Sequence, residues 1–193
     1  NKTEATALIQ HEVGTHVLTH YNGTQQPLEL LSSGLADYDP LQEGLAVMSE
    51  YLVDGLTANR LRTLAGRVIA GSALMEGAEF PQLFRLLKMD YGFTAERAFN
   101  ITSRIMQGGG FLKDIIYLKG LVQLRDHLQQ GGEFEPLLAG KFGLKHTKII
   151  NELTERKVLK PGALRPSYLL TENITNKLNL IREGLPLSKM INQ

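Results

Sequence analysis

The sequence predicts a mainly α-helical protein, and three observations carry that reading. Apolar residues recur at helical spacing along most of the chain. Capping residues and Gly or Pro stops punctuate those stretches at helix-sized intervals. No alternating run of β-branched residues is long enough to make a strand.

The elements follow in order. Thr3 caps a first helix whose apolar face uses Ala7, Leu8, Val13 and Leu18, and which ends near Asn22-Gly23. Residues 24–39 read as a loop with a helical turn around "PLELLSSGL". Pro40 suits the first position of a second helix, "PLQEGLAVMSEYLVDGL", with Asp39 as its cap. A third runs from about Arg60 to Ala78, a fourth starts at Pro81 and a fifth follows Thr94. "QGGGF", residues 107–111, interrupts the pattern, and "LKDIIYLKGLVQLRDHLQQ" resumes it until Gly131-Gly132. Shorter helical pieces, the loop "KPGALRPSY" and a final helix from about Thr171 complete the chain. Without repeats, low complexity or a linker, residues 1–193 are expected to form a single helical domain.

Composition narrows the function classes. The 193 residues are 42% hydrophobic and 21% charged, with Lys+Arg 21 against Asp+Glu 20. No charge surplus is available to recruit nucleic acid or an anionic membrane, so neither is expected as a partner. The absence of cysteine excludes disulfides and thiolate metal sites, leaving His and carboxylate as metal ligands. It is compatible with a reducing compartment, and a cytoplasmic location is expected. No apolar run approaches the ~20 residues that span a bilayer. The opening Asn1-Lys2-Thr3-Glu4 is neither a secretory signal nor an initiator Met, so the chain is expected to be part of a longer protein.

The chemistry concentrates in "HEVGTH", residues 11–16. Zinc peptidases commonly carry H-E-x-x-H, whereas His11 and His16 are one residue further apart. On a regular α-helix residues five apart point about 140° away from each other. A π-helical turn absorbs one extra residue and restores a common face, and Gly14 inside the interval lowers the barrier to such rewinding. Glu12 adjoins the first histidine, where a zinc peptidase places its general base. A competing set is Glu12, His16 and His20, four apart in turn, but three ligands on one helix spread over about 12 Å. His16 and His20 with an outside ligand remain an alternative. A catalytic zinc site takes three protein ligands and leaves a fourth position for water. Glu43, in "QEGLA" of the second helix, would stand at the level of the histidines if the first two long helices pack antiparallel.

"HEVGTH" followed by "QEGLA", with "GGGFLKDIIYLKG" (108–120) and "RPSYL" (165–169), resembles the QEGLA-motif family. Its bacterial members are named flavohaemoglobin expression-modulating proteins, and its animal relatives are the microtubule-associated tyrosine carboxypeptidases. The resemblance runs over most of the chain. It implies a zincin-like helical lobe, the H-E-x-x-x-H helix packed on the QEGLA helix, in a zinc metallopeptidase. Its ligands to Zn²⁺ are His11, His16 and Glu43, and its catalytic base is Glu12. Dipeptidyl peptidase III also carries an H-E-x-x-x-H helix. Family members are about twice this length, so the resemblance implies a C-terminal half whose missing N-terminal half would cover an apolar surface near the metal.

On this reading zinc makes water a nucleophile near neutral pH, and Glu12 takes its proton and passes it to the leaving amine. Tyr117 is the candidate donor to the oxyanion, following the Gly108-Gly109-Gly110 loop, and Lys113 the candidate partner of a substrate C-terminal carboxylate. Glu50, seven residues after Glu43 on the same helical face, is the candidate to orient a ligating histidine, with Asp37 and Asp39 as competitors. His127 and His146 have no partner at ligand spacing. The expected activity is removal of a C-terminal residue, Tyr among the candidates, from a protein or peptide. The alternative is a non-catalytic regulatory protein, modulating flavohaemoglobin expression, on the same scaffold.

Overall fold

The structure is a computed structural model that describes residues 2–108 and 113–191. Among these residues every regular element is helical and none is a strand. The chain divides into two compact units, Asn1–Leu56 with Lys119–Gln193, and Thr57–Leu118. No helix is long and apolar enough to cross a membrane among the described residues.

The first unit is organised by one long helical rod. Helix α1 (Lys2–His11) continues through a π-helical turn at Glu12–Val17 into α2 (Leu18–Thr24). Thr3 lies inside α1 and does not cap it, because the helix already runs at Lys2. The buried face also differs from the expected one. Ala7 and Leu18 are buried, but Leu8 and Val13 are 61% and 53% exposed, and the interior positions are taken by His11, Thr15, Thr19 and Asn22. For Val13 the physical reason is the π turn, which rotates everything after it relative to a regular helix, whereas Leu8 precedes the turn and is exposed independently of it. Ile9, Val13, Val17 and Tyr21 are exposed apolar residues at four-residue spacing.

After the short helix α3 (Leu30–Ser33), helix α4 (Asp39–Leu52) packs on this rod. Pro40 sits in its first turn as expected; Asp39 is the first helical residue, and the cap falls on Tyr38. Paired positions define the direction. A Cβ on Gly55 would lie 2.3 Å from that of Ala7, Glu50 bonds His11, Glu43 faces His16, and Gln42 bonds Thr19. Numbers rise along one helix as they fall along the other, so the packing is antiparallel. Residues Leu45–Leu52 are all buried, which gives α4 no solvent face along its second half.

Each letter of "QEGLA" has a place in this packing. Leu45 and Ala46 are core residues, and Gly44 is the point where the backbone of α8 (Lys113–Gln129) comes closest. A Cβ on Gly120 would stand 1.8 Å from the Pro40 carbonyl oxygen, and one on Gly44 2.5 Å from the Gly120 carbonyl. Neither neighbour is a movable side-chain tip. Gly120→Ala should therefore cost about 3 kcal/mol, the upper part of the usual overpacking range, read from urea denaturation. An unchanged midpoint would show that the two backbones separate freely.

Polar anchors fasten the rest of the first unit. Asn22, fully buried, donates from Nδ2 to the carbonyls of Leu138 (2.8 Å) and Leu164 (3.0 Å) and accepts from the Leu164 amide (2.8 Å). Gln26 holds the Lys160 backbone in the same two-way manner. These two side chains seat the loop after α9 (Thr147–Glu155) against the end of α2. From α10 (Glu172–Arg182), the Lys177 ammonium donates to the carbonyls of Tyr51 and Leu52 and to Asp54, closing the C-terminus of α4 where a cation is favoured.

The second unit consists of α5 (Ala58–Met75), α6 (Phe80–Arg85) with a second π turn at Leu86–Asp90, α7 (Ala95–Gln107) and the first residues of α8. Thr57 and Thr94 cap α5 and α7 through their hydroxyls. Ala70, Leu87, Phe93, Ala98, Ile101 and Ile105 make its core. Arg62 lies over the Phe93 ring at 4.8 Å and ties down the carbonyls of Tyr91 and Gly92.

Candidate metal centre

The extra residue of "HEVGTH" is absorbed by the π turn. Thr15 reinforces it by donating from Oγ1 to the carbonyl of Gln10, five residues back, at 3.0 Å. Gly14 and Thr15 are buried within the turn. With the rotation removed, the His11 and His16 rings face one spot, their centroids 5.3 Å apart and their planes at 81°. On a regular helix the same residues would diverge by about 140°.

The opposing helix brings one carboxylate to that spot. Glu43 Oε2 lies 3.8 Å from His11 Nε2 and 3.7 Å from His16 Nε2. The ligand atoms of the three residues all lie within 4.8 Å of one another. Zinc bonds of about 2.0–2.1 Å at tetrahedral angles put ligand atoms roughly 3.4 Å apart, so little side-chain movement separates this arrangement from a coordinating one. A second observation supports the fit. Glu43 Oε2 is buried and has no hydrogen-bond partner, which is costly for a carboxylate oxygen unless a cation meets it. Two imidazole nitrogens and a carboxylate oxygen, with no thiolate, form a donor set suited to Zn²⁺.

Glu50 supports the first imidazole. Its Oε1 lies 2.8 Å from His11 Nδ1, both side chains being 8% exposed. An ionised Glu50 carboxylate only accepts, so a neutral His11 ring paired with it would donate from Nδ1 and keep the Nε2 lone pair toward Glu43. Asp37 is instead ion-paired with Lys145, whose hydrogen bond and charge hold its carboxyl below the usual range. Asp39 begins α4.

The second imidazole feels more than one neighbour. Burial alone pushes the His16 pKa down. The Glu43 carboxylate, 3.7 Å from Nε2, the neighbouring Gln42 side chain and the charge of Glu12 together outweigh it and hold the group above its ordinary value. Glu12 itself is exposed at the start of the π turn. Gln42 and Thr19, buried side by side at this site, were not singled out from the sequence. The available signal was the first letter of the QEGLA motif, together with a threonine three residues after His16.

His20 points elsewhere: it is exposed and donates from Nδ1 to the Ser32 carbonyl at 3.0 Å. His146 accepts from the Gly143 amide, and His127 packs against Gly132, burial lowering its pKa. Neither joins a metal-capable group among the described residues. In the second unit, the Tyr117 ring lies under the guanidinium groups of Arg60 and Arg67, at 6.0 and 5.9 Å, while Lys113 is exposed at the start of α8. Arg67 and Arg104 share Asp114 beside them, at 3.1 and 2.6 Å. Of the Gly108-Gly109-Gly110 loop, residues 109 and 110 lie outside the described residues, as do 111 and 112.

The curated relatives include microtubule-associated tyrosine carboxypeptidase 1 of Mus musculus, 31% identical over 133 residues, and that of Homo sapiens, 31% identical over 135. These alignments take in 62% and 63% of this chain and 27% of each relative, so the chain spans about a quarter of their length. Residues 1–185 match the family described as microtubule-associated tyrosine carboxypeptidase. With that match covering nearly the whole sequence, the chain belongs to the microtubule-associated tyrosine carboxypeptidase family.

Proposed function

We propose that this chain carries the catalytic centre of a zinc-dependent, carboxypeptidase-like metallopeptidase that removes a C-terminal residue from a protein or peptide. The observation that carries the reading is the buried, unpartnered Glu43 Oε2 facing two imidazole nitrogens. His11, His16 and Glu43 hold the metal in a zincin-like lobe, and Glu50 keeps His11 in the ligating tautomer. A bound zinc ion supplies Lewis acidity at the scissile carbonyl and makes water nucleophilic at neutral pH.

The other steps belong to the protein. Glu12 accepts the proton of the attacking water and returns it to the leaving amine. Tyrosine, named in the relatives' own description, is the first candidate for the residue released. Further sequence of the same protein, in the part of the relatives' length this chain does not span, is proposed to cover the apolar stripe Ile9, Val13, Val17 and Tyr21. A cytoplasmic location is part of the same proposal.

The test follows release of the terminal residue from peptides ending in free Tyr, by mass spectrometry, using the chain in its full-length context. Hydrolysis that stops with chelator and returns with zinc is expected. A protein that binds zinc yet releases nothing would instead support the non-catalytic regulatory reading.

A further inference from the structure

A π turn is rare and occurs mostly as a single turn within an α-helix, so something local must favour it over the regular register. In "HEVGTH" the direction of His16 depends on it. Slipping back by one residue would turn everything beyond by about 100°, taking the ring away from His11 and Glu43.

The side chain that responds to the wide register is Thr15. Within a regular helix a threonine hydroxyl bonds the carbonyl three or four residues back. Thr6, Thr63 and Thr102 each do so, reaching Lys2, Asn59 and Ala98. Thr15 instead reaches five residues back, its Oγ1 donating to the Gln10 carbonyl at 3.0 Å. The Leu18 amide makes a matching five-residue bond to the Val13 carbonyl.

Thr15 is also placed to pass this register on. It is fully buried and immediately precedes His16. The Thr19 hydroxyl lies 2.8 Å from its carbonyl and 2.7 Å from the Gln42 amide oxygen on α4. A path of polar contacts thus runs from Gln10 through Thr15 and Thr19 to the residue beside Glu43. Gly14 lets the turn widen, and Thr15 adds a bond made at the widened spacing.

We propose that Thr15 is the positioning residue of the metal centre, its hydroxyl latched to the Gln10 carbonyl and holding the π register that aims His16 at Glu43. The proposal rests on the metal-binding reading given above. It gives the fifth residue of "HEVGTH" a task of its own. His11 and His16 ligate, Glu12 moves the proton, and Thr15 sets the angle between the two rings before any metal arrives. Asn22 and Gln26 anchor the far end of the rod, so loss of the latch loosens the turn without unfolding the unit.

Two variants of the full-length protein test it. Thr15→Val keeps the shape and removes the hydroxyl; Thr15→Ser keeps the hydroxyl and removes the methyl. Zinc affinity is measured by competition with a chromophoric chelator, and the visible spectrum is recorded with Co²⁺ in place of zinc. In metal-free protein labelled at histidine, NMR cross-relaxation between the His11 and His16 rings, whose centroids are 5.3 Å apart, reports the register itself. Thr15→Val should bind zinc about 10-fold more weakly, the lower end of the range for losing a group that orients a ligand. It should also shift the Co²⁺ bands and weaken the ring-to-ring signal, while Thr15→Ser stays near wild type in all three. Should the Val variant fail to fold, Thr15→Ala against Thr15→Ser differs in the hydroxyl alone and carries the comparison.

Wild-type affinity and an undiminished ring-to-ring signal in Thr15→Val would overturn the assignment. So would equal losses in Thr15→Val and Thr15→Ser, since the hydroxyl would then not be what holds the turn. Wild-type protein that shows the ring-to-ring signal yet binds no zinc would remove the metal-site reading itself. That outcome is distinguishable from the other two because the register is read without metal.

Discussion

Glu12→Gln is expected to leave about one zinc per chain in place and to lower peptide hydrolysis by about 10²–10⁴-fold in kcat, the range supplied by a positioned general base. The two side chains have the same shape, and position 12 is exposed, so neither the fold nor the π turn has reason to change. The amide cannot accept the proton of an attacking water, and it carries no charge to act on His16, which the native carboxylate does. The measurement pairs metal analysis with the turnover of peptides bearing a free C-terminus, in the full-length protein. Turnover within a factor of about three of wild type would remove Glu12 from the mechanism, since such a change is well below the general-base range. Loss of zinc together with activity would make Glu12 part of the metal's support.

Removing a proposed ligand should act one stage earlier. Glu43→Ala, His11→Ala or His16→Ala is expected to abolish stoichiometric zinc, and hydrolysis with it. Zinc at 100 times its Kd stabilises a folded protein by about 2.7 kcal/mol, and that increment should vanish in each variant when melting is compared with and without metal. Glu43→Ala is the most informative of the three. It deletes a buried oxygen without a partner, so the metal-free variant should melt no lower than metal-free wild type, while the zinc-bound states separate widely. Zinc retained by Glu43→Ala would move the third ligand elsewhere. His20 would be the first alternative, at the cost of its bond to the Ser32 carbonyl.

The helical class, the order of the helices and the two motif-bearing segments could be read from the sequence, because periodicity and caps are local properties. Thr94 capping α7 and Pro40 in the first turn of α4 are local in this sense. The convergence of His11 and His16 was legible only conditionally. The spacing demanded a π turn, Gly14 permitted one, and its existence depends on what the turned residues then bury. Thr15, Thr19 and Asn22 occupy interior positions that a regular helix would have given to other residues, and Val13 and Val17 are left outside. Pattern alone therefore misassigned the buried face. A hydrophobic pattern reports what is apolar, whereas burial here was decided by hydrogen bonds from distant segments: Leu138 and Leu164 on Asn22, Lys160 on Gln26. Likewise, the sequence could name Glu43 and Glu50, seven residues apart on one helical face, as facing the histidines. Only the antiparallel packing of α4 on the histidine rod, with the backbone of α8 pressed against it at Gly44 and Gly120, set the register that joins Glu50 to His11 and Gln42 to Thr19. Register is a property of two surfaces fitted together, and no single helix encodes it.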